Sequence, residues 1–232
     1  MSNLFCSSVG KKLVMSISGL FLIMFLFVHL LLNSFLLLPD GGEMYNAGAH
    51  FMATNPIIRV VEPVLALGFI VHIVYALILS SQNAKARGSV SYASGNNTKG
   101  VSWTSKNMLV LGTTVLAFLV LHMIHFYVKM KFTGDERLTE TMIKIGGVET
   151  EVENAYALVN YTFSQLWVVL VYIIASCGLA FHLMHGFWSA FQSIGFSNAI
   201  WRTRLNVIGA IVAWVVGLGF AVIALAHHLF FQ

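Results

Sequence analysis

Residues Leu13–Leu38 read LVMSISGLFLIMFLFVHLLLNSFLLL, a run without a single Lys, Arg, Asp or Glu. An α-helix rises about 1.5 Å per residue, so the run reaches about 39 Å, more than the roughly 30 Å hydrocarbon core of a bilayer. Its end is set by Pro39, Asp40, Gly41 and Gly42, which do not continue helices. Lys11 and Lys12 precede it as they would in a signal peptide. The run is too long for the apolar stretch of such a peptide and has no clear small-residue cleavage site, so it is expected to stay as the first membrane helix.

Four further segments read the same way: Pro56–Ser81, Lys106–Met130, Tyr161–Ser193 and Arg204–Phe230. Pro56 suits a first helical turn, and the fourth segment is long enough to tilt or protrude. A Ser/Gly/Asn-rich loop, Gln82–Ser105, separates the second and third, and a longer polar stretch up to Asn160 carries most of the acids. Composition agrees, with 58% apolar and 9% charged residues against about 25% charged in soluble domains. The fold expected is all-α: an integral membrane five-helix bundle forming one domain over residues 1–232, with no soluble module and no fixed-period repeat. Cys6 and Cys177 form neither a disulfide framework nor a metal-site spacing.

Five spans put the termini on opposite sides. The N-terminal side receives Lys11, Lys12, Lys85, Arg87, Lys99, Lys106, Arg202 and Arg204 and no acid; the other side receives five basic residues and all nine acids. The positive-inside rule therefore places the N-terminus in the cytoplasm and the C-terminus outside. The net charge of +4 belongs to this orientation and gives no reason to expect nucleic acid.

Six of the nine histidines, His29, His72, His122, His125, His182 and His185, fall inside spans. Ionisable groups at membrane depth are expensive and face the protein interior for a reason. His29 lies 17 residues past Lys12 and His122 lies 16 past Lys106, about 26 and 24 Å from the cytoplasmic end. His72 and His182 each lie 10 residues before a glutamine, Gln82 and Gln192, about 15 Å from the same end. The four form two level pairs, one in each half of the bilayer. Imidazole is an ordinary axial ligand of haem iron, and two level imidazoles facing across a bundle core can hold one haem.

His125 and His185 lie one turn beyond His122 and His182; depth leaves His125 open as a ligand and disfavours His185, and both are read as polar neighbours of a cofactor edge, with His50, His227 and His228 read as interfacial. Gly68, Gly186 and Ser18 could let a flat porphyrin approach, with close helix packing as the alternative. Ser18 lies 11 residues before His29, about 20° away on the helical wheel.

The ordered set SISGLFLIMFLFVHLLLN, GFIVHIVYALILSSQNAKAR, VLAFLVLHMIHFYVKMKF and FHLMHGFWSAFQSIGF resembles the cytochrome b subunit of succinate:quinone oxidoreductases, in the single-chain, di-haem, b558-type class. The resemblance covers nearly the whole chain. It implies two haems b between helices I–IV. His72 and His182 would ligate a haem near the cytoplasm, and His29 and His122 a distal one. It also implies a flavoprotein subunit with FAD and an iron–sulfur subunit docked on the cytoplasmic face, and menaquinone as the membrane substrate. A dimer of the whole complex is compatible with it. In some relatives a glutamate stands two residues before the fourth ligand on a proton path; here that position is Ala180.

The function expected is that of the quinone-reactive, electron-transferring anchor of a succinate dehydrogenase or fumarate reductase in a bacterial cytoplasmic membrane, with no succinate chemistry of its own. Glu62, three residues from Arg59 near the outer surface, is the candidate acceptor of a quinol proton; pairing with Arg59 at the interface is its alternative. Rival expectations are the cytochrome b subunit of a hydrogenase or formate dehydrogenase, separable by whether a flavin subunit co-purifies, and a haem-free transporter or anchor, separable by an absorption spectrum.

Overall fold

The computed structural model describes residues 7–87, 102–196 and 198–231. Cys6, Lys99 and Ser197 lie outside the described residues. Five helices are long and apolar enough to cross a membrane: Ser8–Leu37, Pro56–Ala86, Met108–Thr133, Leu166–Ser193 and Ala199–Phe230.

The first, α1 (Ser8–Ser34), starts on a Ser7 side chain that accepts from Gly10 N–H and ends in a 3₁₀ turn, Phe35–Leu37. The chain then reverses at Gly41 and Gly42, with φ of +67° and +88°, values that suit glycine. Both Asp40 carboxylate oxygens accept backbone N–H groups there, from Gly42 and Met44. A short helix follows, α2 (Glu43–Thr54), which carries His50. The Asn55 side chain accepts from Ile57 N–H at 2.9 Å and opens α3 (Pro56–Arg87) with Pro56 in the first turn.

After the short α4 (Trp103–Lys106), α5 (Met108–His122) widens into two π turns, Met123–Tyr127 and Lys129–Thr133. The polar stretch beyond holds a hairpin, β1 (Glu140–Ile145) with β2 (Val148–Glu153), in the register Ile145↔Val148. Gly146 and Gly147 both have positive φ, as a two-residue hairpin turn of the right twist requires. The expected fourth span is two helices, α6 (Ala155–Ser164) and α7 (Leu166–Ser193), broken at an extended Gln165. Hydroxyls of Thr162 and Ser164 bond backward to Leu158 and Tyr161 carbonyls just before the break, a local competition that weakens helix continuation. The last helix, α8 (Ala199–Phe230), begins on an Asn198 cap, so Arg202 and Arg204 ride its first turns instead of a loop.

Packing is uneven. α7 and α8 lie closest: a Cβ on Gly217 would stand 2.6 Å from Ala180 Cβ and 2.9 Å from the Ser176 carbonyl oxygen. Small residues permit such approach between membrane helices. Ala180 is fully buried there, which explains why this position carries no long acid. α1 packs on α3 and α7, and α7 on α5. By contrast α3 has no extended contact with α5 or α7, nor α1 with α5.

At the end where α1 and α8 finish, α2, the hairpin and α6 form a cap. Buried Asn46 donates to Asn154 and accepts from Tyr156 N–H, and Glu43 accepts from Lys144 N–H. Beneath lies a core of Leu36, Phe163, Val169, Tyr172 and Ile223.

Candidate paired-histidine sites in the bundle

The four helices α3, α1, α7 and α5 contact one another in that order, and Glu62 of α3 reaches Tyr127 and Lys131 of α5 to close the ring. The histidine pairs span its two diagonals. His29 of α1 faces His122 of α5 with ring centres 5.7 Å apart, and His72 of α3 faces His182 of α7 at 6.4 Å. These are the pairs that depth along the sequence selects. Ser18 touches His72 and lies 11 residues before His29, so the two pairs are about 16 Å apart along α1.

The spacing has a chemical meaning. A metal–imidazole bond is about 2 Å and the ring centre lies about 1 Å behind the nitrogen, so two imidazoles sharing one metal put their ring centres about 6 Å apart. Both pairs fall near that value. All four histidines are half-buried as residues, and Nδ1 of His122 and of His182 are buried with no hydrogen-bond partner among the described residues. Among the described residues no group of three or more His, Cys, Asp or Glu side chains could hold a metal ion. Each pair therefore supplies two donors, too few for zinc, which takes four ligands, and suited to a macrocycle that brings its own in-plane nitrogens. The donor set, the diagonal placement and the spacing fit haem.

The glycines beside the rings differ from those expected. A Cβ on Gly19 would lie 3.3 Å from His72 Cε1, and one on Gly112 would lie 3.6 Å from His182 Cε1. These two keep α1 and α5 close to the His72–His182 pair. Gly68 instead faces Phe21, and Gly186 faces Met108, which is the helix-packing alternative. The signal in the sequence is spacing: Gly19 lies 10 residues before His29 and Gly112 lies 10 before His122.

The remaining histidines separate from the pairs. His125 bonds the Tyr172 hydroxyl at 3.0 Å and stacks on its ring with 3° between planes. His185 is half-buried, one turn beyond His182 on α7. His228 donates to the Phe163 carbonyl at 2.7 Å. His227 is fully buried against Leu36, Tyr156, Phe163 and Phe231, so it belongs to the cap's core and not to the membrane interface.

Glu62 is not paired with Arg59, whose Nε donates to the Ala53 carbonyl. Its carboxylate instead accepts from the Tyr127 hydroxyl and pairs with Lys131 Nζ at 3.0 Å. Both partners sit on the π turns of α5, which no periodicity argument anticipates. Nearby, Asp135 is held down at about 2 by the Lys129 ammonium first and by Arg137 as well. Burial pushes the Tyr45 phenol up to about 12 and raises that of Tyr156. These three groups therefore keep one protonation state around neutral pH, and none of them offers a proton acceptor that cycles.

The chain matches no family model, no curated protein and no solved structure.

Proposed function

We propose that the two histidine pairs are the axial ligands of two haems b, His72 with His182 and His29 with His122. On this reading the chain is the quinone-reactive membrane subunit of a succinate dehydrogenase or fumarate reductase. The observation that carries the reading is the pair of diagonal histidine contacts at axial spacing, at two levels of one bundle. The sequence resemblance adds the identity of the complex. Haems so held would carry single electrons between the two halves of the membrane.

The residues of the chain have separate tasks in this scheme. The four histidines bind and orient. Ala180 and Gly217 seal the α7–α8 contact, leaving no acid at that point for a proton to follow. Glu62, hydrogen-bonded to Tyr127 and paired with Lys131, would take the proton of a menaquinol at the outer end. Lys85, Arg202 and Arg204 at the opposite end would face the iron–sulfur subunit, behind which the flavoprotein subunit performs the succinate and fumarate chemistry.

The test is a pyridine haemochrome assay on the purified full chain, with a dithionite-reduced spectrum. Two haems b per chain with sharp α-bands support the reading; one haem or none rejects it.

A further inference from the structure

Of the four paired histidines, His72 has a side-chain partner on its second ring nitrogen: Ser18 Oγ lies 3.3 Å from His72 Nδ1. A hydroxyl can donate only one proton. Ser18 Oγ also bonds the Met15 carbonyl oxygen, at 3.0 Å, and a carbonyl can only accept. The serine proton is thereby committed, and the oxygen faces His72 with a lone pair. Ser18 is buried, and the Met15 carbonyl, which also reaches the His72 ring, can likewise only accept. His72 Nδ1 must then carry the hydrogen, and Nε2 must carry the free lone pair. Gly19, the next residue of α1, lies against the same edge of the imidazole, where a Cβ would stand 3.3 Å from Cε1. Residues 18 and 19 thus fix both the tautomer and the tilt of one ring. Nδ1 of His122 and of His182, by contrast, have no partner.

We propose that Ser18 is a positioning residue for His72: it locks the neutral Nδ1–H tautomer, so that Nε2 is presented toward His182, and it sets the donor strength of that nitrogen. A metal-bound imidazole that donates its other N–H to an acceptor becomes a stronger base, and this outer bond tunes the metal. Stronger donation favours the ferric state, so the bond lowers the potential of the inner haem alone. The electronic half of the proposal rests on the haem reading above; the tautomer half does not.

Two measurements on the full chain test it. In haem-free protein labelled with ¹⁵N-histidine, His72 should appear as the Nδ1–H tautomer in wild type and in Ser18→Thr, and should lose that preference in Ser18→Ala. In the haem-loaded chain, Ser18→Ala should raise the ferrous-to-ferric ratio about three- to tenfold at a fixed applied potential, where tenfold is about 59 mV for one electron. The change should be confined to the haem that His72→Ala removes, and Ser18→Thr should restore the wild-type value. Should Ser18→Ala lose that haem altogether, retention in Ser18→Thr still supports the hydrogen bond, and loss in both variants shows that space matters and overturns it. An Nε2–H tautomer in wild type, or equal shifts in both haems, also overturns it. Wild-type chain without haem rejects the haem reading and the potential tuning, while the tautomer result stands or falls by itself.

Discussion

A histidine inside a membrane helix is ambiguous until its partner is known. His122 and His125 sit one turn apart, yet the first faces His29 and the second bonds Tyr172. Single substitutions should therefore sort into classes. His72→Ala or His182→Ala should remove one haem, and His29→Ala or His122→Ala the other, while His125→Ala and His185→Ala keep two haems per chain by haemochrome. Loss of a haem in His125→Ala with retention in His122→Ala would reverse the assignment on α5. Glu62 makes a second residue-scale prediction. With Tyr127 and Lys131 as its partners and Arg59 elsewhere, Glu62→Gln should retain both haems but slow menaquinol-to-fumarate transfer about 100-fold, the scale of a positioned proton acceptor. Lys131→Met should slow it too, and Arg59→Gln should not. Transfer from soluble dyes to fumarate at the partner subunits should be unchanged in all three. Normal menaquinol turnover in Glu62→Gln would remove it from the quinone site.

At the scale of elements, the C-terminal end of α5 is where the chain departs from simple helices. Its π turns bring Tyr127 and Lys131 toward α3, and such turns are frequent at functional sites. The turn after them is tied by Asp135, which pairs with Lys129 at 2.9 Å and Arg137 at 2.8 Å, while the Arg137 guanidinium lies over the Tyr161 ring of α6. The Asp135 carboxyl is depressed in the folded protein to about 2. A depressed acid stabilises fully above its unfolded value of about 3.9 and loses that contribution as pH falls through the folded one. The backbone amides of residues 134–138 should therefore keep their protection from hydrogen exchange between pH 7 and 5 and lose it between about pH 4 and 2. Asp135→Asn should show the weakened state already at neutral pH. Equal protection in that variant would mean that the hairpin and α6 hold the turn without the acid.

For the whole molecule, the five spans and the one-sided cap define two unlike ends. The cap end carries the hairpin with Glu140, Glu149, Glu151 and Glu153, and the opposite end carries Lys11, Lys12, Lys85, Arg202 and Arg204. With the native cysteines replaced, Glu149→Cys should react with a membrane-impermeant thiol reagent added outside intact cells, and Lys85→Cys should react only after the cells are opened. Labelling in the reverse sense would invert the orientation and move the docking face. In the assembled complex, Lys85 should cross-link to the iron–sulfur subunit; cross-links confined to the cap end would refute docking at the basic end.

The sequence alone determined the number of long apolar helices and how far along its helix each histidine lies. Those follow from quantities local to the chain: twenty or more residues without charge, and a fixed rise per residue that converts position into depth. Helix ends were less legible. The hairpin and the helix over Glu43–Thr54 lie outside the long apolar runs, where hydropathy carries no period, although the Gly146–Gly147 pair is a usable turn signal; the break at Gln165 falls inside the expected fourth span, where the apolar run conceals it. What tertiary structure decided was sidedness and partnership. Depth says how far along its helix a residue lies, and nothing about the azimuth at which neighbouring helices meet it. Only the packing order α3, α1, α7, α5 put the pairs on diagonals, set Gly19 and Gly112 against the rings of His72 and His182, turned Glu62 from Arg59 to Lys131, and gave Ser18 to His72.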